Sequence, residues 1–159
     1  MNKSELQQII LSKLKQRHVI AHEATQRAID AATDEETVPE HKYDTLALEA
    51  SYLAHGQAMR VLECEEDIRQ YQELVLREGE GKPIAMTSYL AVVDEQDNEK
   101  HFFVGPCAGG LSVDWQGVEV SILTPQAPLG KALLGKEVGD EIEFNVADSL
   151  FCYEIVTVY

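Results

Sequence analysis

The feature that most constrains the fold is a hydrophobic seam that repeats every three or four residues near the start of the 159-residue chain. It lies between about Ser4 and Thr33, a stretch without glycine or proline. A 3-4 repeat is typical of a helix that packs along one side of a coiled coil. The sequence therefore predicts a first long helix from Ser4, its expected N-cap, to Thr33. The seam positions are Ile10, Leu14, Arg17, Ala21, Ala24, Ala28 and Ala31.

A second seam follows and predicts a second long helix, from Pro39 or Glu40 to about Glu78. Pro39 cannot continue the preceding helix, because it lacks an amide hydrogen, but proline is tolerated in a first turn. Two such helices joined by a short polar break predict an antiparallel hairpin over residues 1–78, with its tip between Ala31 and Asp44. The second seam consists of Tyr43, Ala47, Ala50, Ala54, Gln57, Val61, Cys64, Ile68, Tyr71 and Val75.

Glycine and proline then end the helical pattern, and we place a linker at residues 79–83. Over residues 84–159 the apolar residues alternate as in strands, with one short helix expected from Ala127 to Leu134. We therefore predict an α+β chain, in which the hairpin precedes a small antiparallel β domain with one short helix. The expected strands cover residues 88–93, 100–104, 111–113, 118–123, 140–146 and 151–159.

The amino-acid composition limits the classes of function that are expected for this chain. The formal net charge is −15, and no basic stripe exists that could hold phosphates, so direct nucleic-acid binding is not expected. The acidic charge suits a basic protein partner, or serves solubility alone. Three cysteines at unrelated spacings predict neither a disulfide framework nor a zinc site. We expect a cytoplasmic protein without a membrane span or a secretory signal.

Carboxylates concentrate at the predicted tip. Glu40 and Asp44 are four residues apart and would share a helix face. From the residues alone two interpretations stay open, a functional acidic tip or solvated acids favoured by the dipole of the second helix. The tip acids are Asp34, Glu35, Glu36, Glu40 and Asp44.

A seventeen-residue segment in the second half resembles a known family. Thr124-Pro125-Gln126-Ala127-Pro128-Leu129-Gly130-Lys131-Ala132-Leu133-Leu134-Gly135-Lys136-Glu137-Val138-Gly139-Asp140 is similar to the C-terminal signature of the GreA/GreB transcription elongation factors. In that family a Ser/Thr-Pro, a Leu-Gly-x-Ala-Leu-Leu-Gly-Lys core and a Val-Gly-Asp follow in this order. The resemblance implies a coiled-coil hairpin before an FKBP-like β domain.

The resemblance also implies a function. The hairpin would enter the secondary channel of bacterial RNA polymerase, and acids at its tip would help to hold a catalytic Mg²⁺ while the polymerase cleaves backtracked RNA. The chain would then be a monomeric cofactor protein and no enzyme itself, meeting nucleic acid only through the polymerase. Glu36 and Glu40 are the expected catalytic and metal-binding acids, with Asp34 and Asp44 in reserve. Polymerase binding is expected from the β domain, with Leu129, Leu133 and Leu134 as its contact residues or as its core.

The tip departs from the family pattern Asp-x-x-Glu-Asn-x-x-Tyr. Glu40 and Tyr43 match its Glu and Tyr with one residue fewer between them, Thr37 stands where the Asp is expected, and His41 replaces the Asn. A Gre-like regulator that occupies the channel without cleavage is therefore an alternative.

Two alternatives come from other functional classes. One is an FKBP-like prolyl isomerase, in which aromatic side chains of the β domain would line a pocket. The other is a coiled-coil adaptor that dimerises. The candidate pocket residues are Tyr89, Phe102, Phe103, Trp115, Phe144, Phe151 and Tyr153.

Overall fold

The computed structural model describes residues 2–33 and 46–159, in two units. One unit contains Leu11–Gln72 and is helical. The other combines Met1–Ile10 with Glu73–Tyr159 and contains the sheet. The helices are α1 (Lys3–Thr33) and α2 (Leu46–Glu73), so two long helices precede a β domain, as predicted. No helix among the described residues has the length and apolar character needed to cross a membrane.

Burial in the helical unit follows the predicted seams. In α1, Leu14, Ala21 and Ala28 are buried and Ala24 is half-buried, whereas Arg17, the polar interruption, and Ala31, the last predicted seam position, are exposed. In α2 the seam positions from Ala50 to Ile68 are half-buried, and Tyr71 is fully buried. His18 Nε2 lies 3.2 Å from Glu65 Oε1, a contact between the helices that fits an antiparallel hairpin.

The predicted N-cap of α1 is wrong by two residues. Asn2 caps the helix, because its Oδ1 accepts a hydrogen bond from the Glu5 amide at 3.3 Å and its carbonyl accepts from Glu5 and Leu6. Ser4 lies inside the first turn of α1, which begins at Lys3.

This cap gives a first testable prediction. Asn2→Ala should reduce the free energy of unfolding by about 1 kcal/mol, because the free amides of the first turn lose their acceptor. Ser4→Ala is the matched control and should leave stability within about 0.5 kcal/mol. Urea unfolding followed by circular dichroism measures both, and a larger loss from Ser4→Ala would contradict the assignment.

The C-terminal end of α2 also differs from its prediction. The helix ends at Glu73 rather than Glu78, and Val75 is 80% exposed instead of lying in the seam. Side chains from elsewhere in the unit hold the backbone beyond it: Gln7 Nε2 donates to the Leu74 carbonyl at 3.2 Å, and the Arg77 amide donates to Thr87 Oγ1 at 3.0 Å. The predicted beginning of this helix, at Pro39 or Glu40, lies outside the described residues.

The β domain is built on one six-stranded sheet, with strand order β3-β4-β2-β1-β6-β5. All paired strands run antiparallel except β2 and β4, which are parallel, so the sheet is mixed. The α+β class is confirmed. The strands are β1 (Tyr89–Val93), β2 (Glu99–Val104), β3 (Ser112–Trp115), β4 (Val118–Leu123), β5 (Glu141–Val146) and β6 (Ser149–Val158), and the short helix α3 (Pro128–Leu133) lies between β4 and β5.

One apolar core lies between the sheet and α3. Residues of the central strands, Leu90, Val92, Val104 and Ile155, are almost completely buried, and Leu133 of α3 has no exposed surface. Because α3 has only six residues, burial of such side chains, rather than helix propensity, holds it in place.

Candidate functional site

The tip acids are the first predicted site, and they lie outside the described residues. Asp34, Glu36, Glu40 and Asp44 all fall within residues 34–45, between the last described residue of α1 and the first of α2. Their roles and their relative positions therefore stay predictions. Among the described residues, no group of three His, Cys, Asp or Glu side chains is arranged to hold a metal ion.

The signature segment begins with a tight approach of two backbone stretches. The Ala127 amide donates to the Thr124 carbonyl at 3.1 Å, and Pro128 opens α3, where its missing amide hydrogen costs nothing. A Cβ on Gly130 would lie 2.0 Å from the Thr124 carbonyl oxygen, so only glycine fits there. The Leu-Gly step of the signature is therefore required by packing.

The end of the signature fastens the backbone after α3 to Ile84, which precedes β1, and to strand β6. Gly135 has φ +80° and donates its amide to the Ile84 carbonyl at 2.8 Å. Gly139, with φ +93°, donates to the Ile155 carbonyl at 2.8 Å, and the Ile155 amide returns a bond to Asp140 at 2.9 Å. Both glycines hold a left-handed conformation that other residues adopt only with strain. Backbone contacts along the whole signature segment therefore help to determine the fold of the domain.

The three signature leucines differ in exposure. Leu133 is completely buried in the core, so it has no surface to offer a partner in this conformation. Leu129 and Leu134 pack against the same core and are half-buried, and each keeps some accessible surface. Their predicted contact with the polymerase stays a prediction.

The aromatic residues considered for an isomerase pocket are mostly interior. Tyr89, Phe103 and Trp115 are at most 3% exposed. The Trp115 indole donates to Glu5 Oε2 at 3.1 Å and meets Tyr89 edge-on, with 5.3 Å between the ring centroids. The Tyr89 hydroxyl lies 2.6 Å from His101 Nδ1. Tyr89, Phe103 and Trp115 therefore do not line an open pocket, whereas Phe151 and Tyr153 border a cleft beside the turn between β1 and β2. This weighs against an isomerase pocket built on the three buried rings.

The structure also reveals a surface that the sequence reasoning missed. At the outer end of β5 and β6, Val146, Leu150 and Phe151 are 50%, 58% and 40% exposed. Val146 and Phe151 lie on the core-facing side of this ladder, whereas Leu150 shares the opposite side with Cys152, Glu141 and Glu143. Partial desolvation raises the pKa of the Cys152 thiol, a hydrogen bond with Glu95 adds to the rise, and nearby glutamates reinforce it. The available signal was two adjacent apolar residues, Leu150 and Phe151, where a half-buried strand would alternate.

Comparison with known proteins covers both parts of the chain. The family described as "Transcription elongation factor, GreA/GreB, C-term" matches residues 84–159. A transcription elongation factor GreA of Mesorhizobium japonicum is 31% identical over 82% of this chain and 78% of its own length. A GreA of Caulobacter vibrioides is 26% identical over 95% of this chain and 91% of its own length.

Solved structures of similar proteins carry related names. One described as the transcription factor Gfh1 covers 94% of this chain and 92% of its own, at 20% identity and a TM-score of 0.42. A GreA/GreB elongation factor of Nitrosomonas europaea covers 60% of this chain and 78% of its own, at 24% identity and a TM-score of 0.37. The sequence relatives are decisive: the chain belongs to the GreA/GreB family of transcription elongation factors.

Proposed function

We propose that this protein binds bacterial RNA polymerase, enters its secondary channel with the helical hairpin, and stimulates cleavage of backtracked RNA. The observation that carries the proposal is the similarity to GreA proteins, which extends over 95% of the chain in the Caulobacter relative. It therefore includes the helical segment as well as the β domain. Such a protein acts in the cytoplasm on the polymerase and has no substrate of its own.

The helices are long enough to span a large distance. With a rise of about 1.5 Å per residue, the 31 residues of α1 measure roughly 47 Å from end to end. That is more than the diameter of a small domain. Two long helices would carry residues 34–45, which join them in the sequence, to a distant site, and the acids there are Asp34, Glu35, Glu36, Glu40 and Asp44.

The tip carboxylates have the right chemistry for Mg²⁺. This ion takes hard oxygen ligands and usually only one or two protein carboxylates, with water or phosphate oxygens completing its shell. Glu36 and Glu40 would provide such a pair, and the polymerase would provide the remaining ligands. When bound, the ion neutralises charge on the phosphate under attack. This protein's own part is to place the two carboxylates and to orient them.

A second candidate function is occupation of the channel without cleavage. The specific observation in its favour is the tip sequence, in which Thr37 stands where the family pattern has Asp and His41 where it has Asn. Neither Thr37 nor His41 replaces the missing carboxylate. Glu36 must then act from one position earlier in the chain, or the tip only blocks the channel.

Competition for the polymerase tests the proposal. We would label this protein with a fluorophore, titrate it with purified bacterial core polymerase, and add an unlabelled GreA as competitor. Because two hairpins cannot occupy one channel, we expect binding that GreA reverses completely. Absence of binding, or simultaneous binding of both proteins, would overturn the proposal.

A further inference from the structure

Helix α2 carries a second apolar stripe, on the side opposite its first seam. Its members lie in the helical unit and are spaced by four and three residues, the repeat with which helices pack on one another. Two residues along an α-helix correspond to a turn of about 200°, so Leu48 lies on the side away from Ala50 of the first seam. This outer stripe consists of Leu48, Tyr52, His55, Met59 and Leu62.

The outer stripe is accessible along its whole length, whereas the first seam is half-buried. Its four large apolar side chains, those of Leu48, Tyr52, Met59 and Leu62, are 50%, 69%, 47% and 56% exposed. His55, between them, is exposed as well. Single exposed apolar residues are ordinary, but four at successive coiled-coil positions form a strip about 21 Å long. A strip of this shape fits another helix.

The outer stripe lies in an electrically neutral part of an acidic protein. Residues 48–62 contain one acidic residue, Glu49, and one basic residue, Arg60, within a chain of formal net charge −15. A second copy can therefore approach this part without the repulsion that its acidic parts would cause. A strongly basic partner, in contrast, would meet only one carboxylate there.

An antiparallel pair of α2 helices would match the stripe to itself. If Tyr52 of one copy lies opposite His55 of the other, then Leu48 lies opposite Met59 in the same register. Two-fold symmetry repeats both pairs, as in any contact between the same surface of two identical chains. All four layers are then filled by stripe residues, and the tyrosine hydroxyl can donate to an imidazole nitrogen of the opposite histidine.

The same register also pairs the two charges. Glu49 lies on the same flank of the stripe as Arg60 of the second copy, two residues from its level. Gly56 of the second copy stands directly opposite Glu49 and brings no side chain between the two charges. A Cβ added at Gly56 would meet nothing within 4 Å, so this flank is open. A parallel pair would instead place each residue beside its own counterpart, without this ion pair.

We propose that two copies of this protein associate through the outer stripe, as an antiparallel pair with two Glu49–Arg60 ion pairs. Each hairpin is then covered along one side by the other. A hairpin covered in this way cannot enter a channel that admits only one hairpin, so the pair is a stored form and the monomer is the active one. The pairing itself needs no polymerase, whereas this consequence rests on the proposed function.

Removing apolar side chains from the stripe tests the pairing. Tyr52→Ser with Met59→Ser is the variant, and Val19→Ser with Ile20→Ser, at valine and isoleucine positions of α1 that are 53% and 57% exposed, is the matched control. Sedimentation of the full-length chains should cover about 1 μM to about 1 mM, the range suited to so small an interface. We expect the variant to need at least about tenfold higher concentration to dimerise than the wild type or the control, with equal helical circular dichroism.

Exchanging the two charges tests the antiparallel arrangement. Glu49→Arg alone, or Arg60→Glu alone, sets like charges against each other twice and should raise the Kd of the dimer at least about fivefold. Both changes together should restore the Kd to within about twofold of the wild type. Such a recovery cannot arise inside one chain, because eleven residues along α2 separate the two positions by about 16 Å.

The rate of association with core polymerase tests the stored form. Because only the monomer would bind, the observed rate should rise with the square root of wild-type concentration above the dimer Kd. For Tyr52→Ser with Met59→Ser it should stay linear over the same range. A linear rise for a wild type that dimerises would refute the stored form.

The possible failures are distinguishable. A wild type that stays monomeric at about 1 mM, or a dimer that Tyr52→Ser with Met59→Ser leaves unchanged, overturns the pairing while the proposed function stands. A dimer whose charge exchange does not recover overturns the antiparallel arrangement. A wild type that dimerises as expected but never binds polymerase overturns the proposed function and the stored form, and leaves the pairing in place.

Discussion

Replacing Glu36 and Glu40 together by alanine is expected to slow RNA shortening in a backtracked polymerase complex by about 100-fold or more. The physical reason is the loss of two hard oxygen ligands at the point where negative charge develops on the phosphate, a type of loss that costs about 10²–10³ in rate. Binding to the polymerase should change little, because we expect it to depend mainly on the β domain. Labelled RNA in a halted complex, with wild-type or variant protein and Mg²⁺, gives the rate.

The matched control for this experiment is Glu23→Ala with Glu63→Ala. Both glutamates are exposed, one on α1 and one on α2, and the change in net charge is the same. The control should shorten RNA at the wild-type rate. Equal rates for the tip variant and the wild type would remove Glu36 and Glu40 from the mechanism. Binding by the wild type without any shortening would favour the second candidate, occupation of the channel.

Gly130→Ala is expected to reduce the free energy of unfolding of the β domain by about 3 kcal/mol or more. The added methyl group would lie 2.0 Å from the Thr124 carbonyl oxygen, and the neighbouring contacts are also backbone, which cannot turn away as a side chain can. Relief requires moving α3, whose Leu133 fills the core.

Trp115 makes this measurement specific to the β domain. It is the single tryptophan of the chain, it lies in the unit that contains the sheet, and it is 2% exposed, so its fluorescence reports that unit. Gly56→Ala is the matched control, because an added Cβ at that exposed position of α2 meets nothing within 4 Å. The control should stabilise the helices by about 1 kcal/mol. An unchanged fluorescence transition for Gly130→Ala would contradict the packing explanation.

The elements of the fold follow from periodicity in the sequence. The seam of α1 predicts the buried positions Leu14, Ala21 and Ala28, and the strand at Val118–Leu123 has the predicted ends. Each apolar pattern reflects which side chains of one helix or strand are buried, so it can be recognised within a single segment of the sequence. Apart from the N-cap of α1, which is local, the features that failed depend on distant residues instead. The end of α2 at Glu73 is one, because Gln7 and Thr87, remote in the sequence, bind the backbone that follows it.

The pairing of strands could not be predicted from local sequence patterns either. The parallel alignment of β2 with β4 places β3 outside both of them, an order that hydrophobic alternation does not encode. The exposed apolar residues at the outer end of β5 and β6 were missed for a related reason. Phe144 and Phe151 continue the alternation of buried Ile142 and Tyr153, so sequence alone assigns all four to the core. Only the three-dimensional extent of the core shows which of them lie beyond it.

A probe at the hairpin tip would test most directly whether the tip reaches the polymerase active site. Thr37→Cys, in a chain with Cys64, Cys107 and Cys152 replaced by serine, would carry an iron chelate that releases hydroxyl radicals. We expect these radicals to cut the RNA near its 3′ end inside the polymerase, while the same probe at Asp97 of the β1–β2 turn leaves that RNA intact. Cuts confined to the outer surface of the polymerase, or equal cutting from both positions, would contradict entry of the hairpin into the channel.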